Sequence, residues 1–144
     1  MVNSKMFVDK KIIAAAVVYF LISYFLLFTF GIRTDGEAEK IIENANRLIN
    51  GREYFNGIFG YFYLVYTVLV ALCIKLSVNL VFVAILQIAF SFLAAVCLYK
   101  LLLDTLHNNR IAFLFFIAYL LCYPVQKWNF FLYTESMHTS FLVI

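Results

Sequence analysis

Charge is scarce in this sequence, and so are the residues that break helices. Only 13% of its 144 residues are Asp, Glu, Lys or Arg, whereas 65% are hydrophobic. An average soluble domain has about 25% charged and roughly 45–50% apolar residues. A soluble domain of this size has too much surface for its volume to hide so much apolar material. A single Pro and five Gly are too few for a turn-rich β fold. The alternating segments of about ten residues that an outer-membrane barrel requires are also missing. Three cysteines, Cys73, Cys97 and Cys122, sit inside apolar runs at no metal-ligand spacing. Their odd number argues against a disulfide framework, and they read as small apolar packing residues. A net charge of +3 without a long basic run gives no sign of a nucleic-acid partner. There is no phosphate-binding Gly loop, nucleophile elbow or Cys/His cluster, and His107 and His138 have no partner at metal-ligand spacing. These absences leave an all-α integral membrane protein, one transmembrane module over residues 1–144.

What is present is a series of apolar runs. The first, 11–32, is uncharged after Lys11 and reaches the ~20 residues a bilayer demands. It is too long for a signal-peptide core and has no small-x-small cleavage site after it, so it reads as a signal anchor. The second, 58–76, begins with Tyr61, Tyr63 and Tyr66 and carries Lys75 near its end. The third, 78–103, is interrupted by Gln87, Ser91 and Lys100. Gln87 and Ser91 are expected to form interhelical hydrogen bonds, and Asp104 with Lys100 reads as an i, i+4 pair. The fourth, 111–126, contains Pro124 and is followed by Trp128, an aromatic suited to the headgroup zone. A fifth, 137–144, is still apolar at Ile144 with no helix-stop signal, and reads as the start of a truncated span in a larger protein.

Lys5, Lys10 and Lys11 precede the first run, while Lys100 and Arg110 flank the connection after the third. Placing both groups in the cytoplasm requires an even number of crossings between them. One of the three intervening runs then does not cross, and 58–76 is the candidate for a juxtamembrane helix. A full span there would put the Lys100–Arg110 loop or the N-terminus outside. The expected location is the cytoplasmic (inner) membrane, multi-pass, with the N-terminus cytoplasmic.

Polarity is concentrated in 33–57, which holds nine of the chain's 19 charged residues. Thr34 and Glu37 have the spacing of a capping box. Ala38, Ile41, Ile42, Ala45, Leu48 and Ile49 recur at helical spacing, with Glu39, Lys40, Glu43, Asn46 and Arg47 opposite. Glu43 and Arg47 form an i, i+4 pair, and Gly51 suits the left-handed residue that ends a helix. The segment is an amphipathic helix, able to lie in the membrane interface or to serve as a solvated connector.

Two acids stand apart. Asp35 lies just past the first span, where a carboxylate is stabilised by a helix N-terminus or can take a proton from an acceptor hydroxyl or amide. Glu135 lies between the aromatics Trp128, Phe130, Phe131 and Tyr133 and an apolar run. An ionisable group so placed is a functional candidate; the plainer reading puts it in the first turn of a helix capped by Thr134 or Ser136. The orientation above puts both acids on the outer face.

The order of these features resembles the N-terminal part of the GT-C membrane glycosyltransferases, which include protein O-mannosyltransferases and aminoarabinose transferases acting on lipid A. That family begins with a signal-anchor span and an outer loop that opens on an acid and carries a juxtamembrane helix with a "D…A..L..G..Y" pattern. Asp35, Ala45, Leu48, Gly51 and Tyr54 match it, and Thr134-Glu135-Ser136 resembles the family's second acidic loop. The Tyr often found after the first acid and the Pro-rich step before the next apolar segment are missing. The resemblance implies sugar transfer from a polyprenyl-phosphate donor to an acceptor on the outer face. Asp35 would be the catalytic base or acceptor-orienting carboxylate. Glu135 would assist it or ligate a divalent metal ion where a family member uses one. Arg33, Arg52 and Lys127 would meet the lipid phosphate or snorkel. The remaining partners are membrane lipid and the rest of the transmembrane domain. The alternative is a small four-span non-enzymatic protein, flippase-like or an accessory subunit for lipid-linked sugars. A multidrug or ion transporter would be expected to hold an acid in mid-span, and the first three runs have none.

Overall fold

The structure is a computed structural model that describes residues 10–52 and 59–144, with side chains from residue 63 onward in the second stretch. Lys5, Tyr54, Ile58 and the side chain of Tyr61 lie outside the described residues. Seven helices follow in chain order: α1 (Lys10–Phe30), α2 (Glu37–Ile49), α3 (Phe59–Lys75), α4 (Val81–Leu106), α5 (Asn109–Leu121), α6 (Tyr123–Gln126) and α7 (Glu135–Val143), with a 3-10 turn at Lys127–Phe130. The fold is all-helical; one isolated backbone bridge pairs Arg33 with Phe131.

Two helices, α1 and α4, are long and apolar enough to cross a membrane. At 1.5 Å per residue they are about 31 and 39 Å long, against a hydrocarbon core of about 30 Å. The α1 surface is strongly apolar and open, with Phe28 82% and Tyr24 69% exposed, a face that water would penalise and lipid would not. A third crossing exists if α5 and the segment Tyr123–Phe130, bent by 49° at Cys122, form one broken span. The bend has a local cause. Pro124 has no N–H to give to the carbonyl of Leu120, so one helix cannot run through, and it sits instead in the first turn of α6 where no donor is needed. Gln126 then reaches back to donate to the carbonyl of Tyr119 at 3.1 Å, serving backbone that the break exposes. Helix α3 has 17 residues, about 25 Å, short of a full crossing.

The core divides in two. Ala84, Ile88, Ala95 and Tyr99 of α4 pack with Ala112, Phe116 and Leu120 of α5 and with Tyr19 and Leu27 of α1. Three alanines at this seam let the backbones approach closely, as lipid-embedded helices need where no hydrophobic drive separates helix from tail. The second cluster joins Ala38, Ile41 and Ala45 of α2 to Tyr66, Val70, Ala71 and Cys73 of α3, with Val83 and Leu132. The apolar face of α2 is therefore covered by protein, whereas the sequence left it open to the membrane interface.

Several local expectations are corrected. The Thr34–Glu37 capping box does not form: the N-cap of α2 is Gly36, with no side-chain cap. The Glu37 N–H donates instead to the Tyr133 hydroxyl at 3.3 Å. Thr134 stands at the N-cap of α7 but its side chain caps nothing. Asp104 and Lys100 are not among the ion pairs of the described residues, which are Arg33–Asp35, Lys40–Glu37 and Arg47–Glu43. The Glu43–Arg47 pair closes at 2.7 Å as its spacing implied, and Gly51 takes φ 65° beyond the C-terminus of α2. Helix α4 ends where His107 adopts a left-handed φ of 50°.

Gly36 carries a specific demand. Its φ of 66° and ψ of −116° lie where residues with a Cβ are strained, and a Cβ there would stand 2.9 Å from the Tyr133 hydroxyl. Gly31 has φ +68° but nothing within 4 Å of such a Cβ. Gly36→Ala should therefore destabilise the protein by about 2–3 kcal/mol and Gly31→Ala by only about 1 kcal/mol, compared by thermal unfolding in one detergent.

Candidate functional site

Four of the chain's cations share one end of the bundle. Lys11 Nζ lies 5.9 Å from the centroid of Phe113, near the start of α5. Tyr99, next to Lys100, donates to Asn109 Oδ1 at 2.7 Å. Asn108 caps α5 by accepting from the N–H groups of Arg110 and Ile111. Lys10, Lys11, Lys100 and Arg110 thus share one basic end. The two singled-out acids lie at the other, the loop end.

There the α1–α2 connection is clasped to the segment leading into α7. Arg33 N–H donates to the carbonyl of Phe130 at 2.8 Å, and Leu132 N–H donates to the carbonyl of Arg33 at 3.1 Å. Tyr133 completes the clasp: its hydroxyl accepts from Glu37 N–H and donates to the Asp35 carbonyl at 3.1 Å. Asp35 joins the clasp through its own carbonyl, and Glu135 lies two residues beyond Tyr133. Their carboxylates differ in company. Asp35 faces Arg33 at 3.8 Å, both side chains about two-thirds exposed, a pair worth under about 1 kcal/mol. Glu135, exposed at the first residue of α7, lies within electrostatic reach of the buried Tyr66.

Gln87 secures the clasp from inside. Fully buried on α4, its amide nitrogen donates to the carbonyls of Phe131 at 3.2 Å and Tyr133 at 2.8 Å. Residues 131–134 are irregular backbone, and at membrane depth such carbonyls need an internal partner. Tyr66 approaches the Gln87 amide, but its hydroxyl and Gln87 Oε1 have no hydrogen-bond partner among the described residues.

Deeper lies a second polar cluster that the sequence reading did not anticipate. Gln126 Oε1 accepts from Tyr19 Oη at 2.8 Å, Asn129 Nδ2 at 2.8 Å and Ser91 Oγ at 3.3 Å. Asn129 also donates to Tyr19 and accepts from the Ser136 hydroxyl. One cluster therefore ties α1, α4, α6, the 3-10 turn and α7 together. Ser91 makes the interhelical bond its position suggested, while Gln87 bonds to irregular backbone rather than to a helix. Asn129, polar between Trp128 and Phe130, was the available signal for this cluster. Tyr133 had no comparable one, since its partners Asp35 and Glu37 are distant in sequence.

Above the clasp, Trp128, Phe131 and Tyr133 form an aromatic trio with ring centroids 5.3–5.6 Å apart. Lys127 Nζ stands 4.5 Å over Trp128 and Arg33 5.9 Å over Phe131. On α2, the hydrogen bond and charge of Glu37 raise the Lys40 ammonium above its ordinary range. That small contribution persists through neutral pH and is lost as pH rises through the raised value. Lys127 and Arg33 stand in the aromatic patch, and Arg52 is exposed beyond α2.

Among the described residues, no group of three or more His, Cys, Asp or Glu is placed to hold a metal ion. Asp35 and Glu135 alone do not make a metal-binding set. Among the described residues, a cavity of about 320 Å³ lies between α1 and α5–α6 rather than against the two acids. Compared with models of known protein families, with curated protein sequences and with solved structures, the chain matches none.

The clasp and the buried cluster are separable by mutation. Gln87→Leu removes a donor from two buried carbonyls, and Asn129→Leu leaves Gln126 and Ser136 short of a partner. Each should cost about 1–3 kcal/mol, read by equilibrium unfolding in bicelles; a change under 0.5 kcal/mol in either would show that the contact carries no stability.

Proposed function

We propose that this chain is the N-terminal part of a membrane glycosyltransferase of the GT-C type, moving a sugar from a polyprenyl-phosphate donor to an acceptor outside the cytoplasmic membrane. The observation that carries the reading is the clasp of 33–37 against 130–135. It brings the loops bearing Asp35 and Glu135 to one end of the bundle, opposite Lys10, Lys11, Lys100 and Arg110. With that basic end cytoplasmic, α1 rises about 31 Å, one bilayer core, and both acids emerge on the outer face.

In this reading α1 and α4 cross, α5 with α6 crosses as a broken span, and α2 with α3 forms a juxtamembrane pair. The length of α3 and its pairing with a helix bearing Glu39, Lys40, Glu43 and Arg47 support that placement. Asp35 is the base or acceptor-orienting carboxylate. Its only ion pair among the described residues is the exposed 3.8 Å contact with Arg33, and its exposure leaves room for an acceptor hydroxyl. Glu135 assists from the start of α7, with the aromatic trio beside it as an apolar wall for a sugar or lipid.

One observation favours the second reading, a non-enzymatic flippase-like or accessory protein. The cavity opens between helices and not at the acids, as lipid handling without chemistry would need.

Two experiments test the proposal. In the complete protein, Asp35→Asn should lower transfer about 10²–10⁴-fold without changing expression; unchanged transfer would sink the catalytic role. In native membranes, single cysteines at positions 35 and 135 of a Cys-free variant should react with an impermeant reagent while one at 104 does not. Labelling of 35 and 135 from opposite sides would leave no shared site and favour the accessory reading.

A further inference from the structure

We propose that the basic end of the bundle is a docking surface for the anionic phospholipid headgroups of the leaflet it faces, met by Lys10, Lys11, Lys100 and Arg110. The four cations converge from three helices. Lys11 Nζ lies 5.9 Å from the centroid of Phe113, and Phe113 stands one turn beyond Arg110 on α5, at neighbouring i, i+3 spacing. The Tyr99 hydroxyl, next to Lys100, donates at 2.7 Å to the side chain of Asn109, next to Arg110. A two-residue connection, with His107 at φ 50° and Asn108 as the N-cap of α5, holds α4 and α5 together there.

Position and charge identify the partner. Lys100 stands about 28 Å along α4 from Val81, close to the thickness of a hydrocarbon core, and Lys10 and Lys11 open α1. All four side chains are exposed, so their charges meet the membrane at headgroup level. Among the described residues, the acid at this end is Asp104; Asp9, next to Lys10 in sequence, lies outside them. Lys10, Lys100, Arg110 and Asp104 are in no ion pair among the described residues. Asn108 already takes the N–H groups of Arg110 and Ile111, so recognition falls to the side chains. Because the connection is short and flush with the helix ends, one leaflet reaches all four cations at once. Phosphate esters presented at that depth are the matching charge. This inference rests on α1 and α4 as membrane spans and not on the transfer reading.

Native mass spectrometry of the detergent-purified chain, with phosphatidylglycerol and phosphatidylcholine added in equal amounts, tests it. Phosphatidylglycerol should be retained preferentially, and less so as sodium chloride is raised. Lys100→Gln and Arg110→Gln should each weaken its retention about five-fold, while Lys100→Arg keeps it and phosphatidylcholine is unaffected. Asp104→Asn, which removes the opposing charge, should strengthen retention, a gain that misfolding would not produce. Lys127→Gln, at the other end of the bundle, should leave it unchanged. Equal retention of the two lipids would overturn the proposal. So would an equal loss in Lys127→Gln, which would mean net charge rather than this surface. Displacement of phosphatidylglycerol by inorganic phosphate beyond the effect of sodium chloride at matched ionic strength would also overturn it, in favour of a free-anion site. Because the readout is lipid mass, loss of transfer in Asp35→Asn neither produces nor hides any of these results.

Discussion

The arrangement depends on satisfying the irregular backbone that joins the 3-10 turn to α7. Between Phe130 and Glu135 the chain leaves helical geometry, and any carbonyl or N–H buried there without a partner would be costly. The structure meets the demand from three sides. Arg33 pairs its backbone with Phe130 and Leu132, Gln87 donates from α4, and Tyr133 reaches across to the α1–α2 connection. The same bonds that remove the penalty fix where α2 starts and where α7 starts.

That constraint explains why a few polar side chains matter more than the many apolar ones. In lipid, burying a leucine against another helix gains little over burying it against a tail, so specificity passes to hydrogen bonds and to small residues. Gln87, Ser91, Gln126 and Asn129 are buried or largely buried and each bonds across elements. The alanines of α4 and α5 let those helices close up around them. The outward faces of α1, by contrast, carry Phe25 and Phe28, 64% and 82% exposed.

Function, in the reading proposed, follows from this division of labour. The apolar faces set depth, the lysines at one end set orientation, and the clasp holds two acid-bearing loops together at the other. The aromatic trio and its two cations, Lys127 and Arg33, lie beside the clasp.

The sequence by itself determined the helical class, the long apolar helices α1 and α4, and the helical register of α2, because these depend on composition and on periods of a few residues. It marked Gln87 and Ser91 as bonding residues because a polar side chain in an apolar run must find a partner somewhere. Only the tertiary structure decided which partner. Whether Thr34 or Tyr133 serves the start of α2 and whether residues 33 and 131 pair are set by contacts nearly a hundred residues apart, and whether the apolar face of α2 meets lipid or α3 by contacts between separate helices. No local period encodes those contacts. The bend after Leu121 falls between the two: Pro124 announced a break, but the Gln126 and Asn129 bonds that give it a use appear only once the helices are packed.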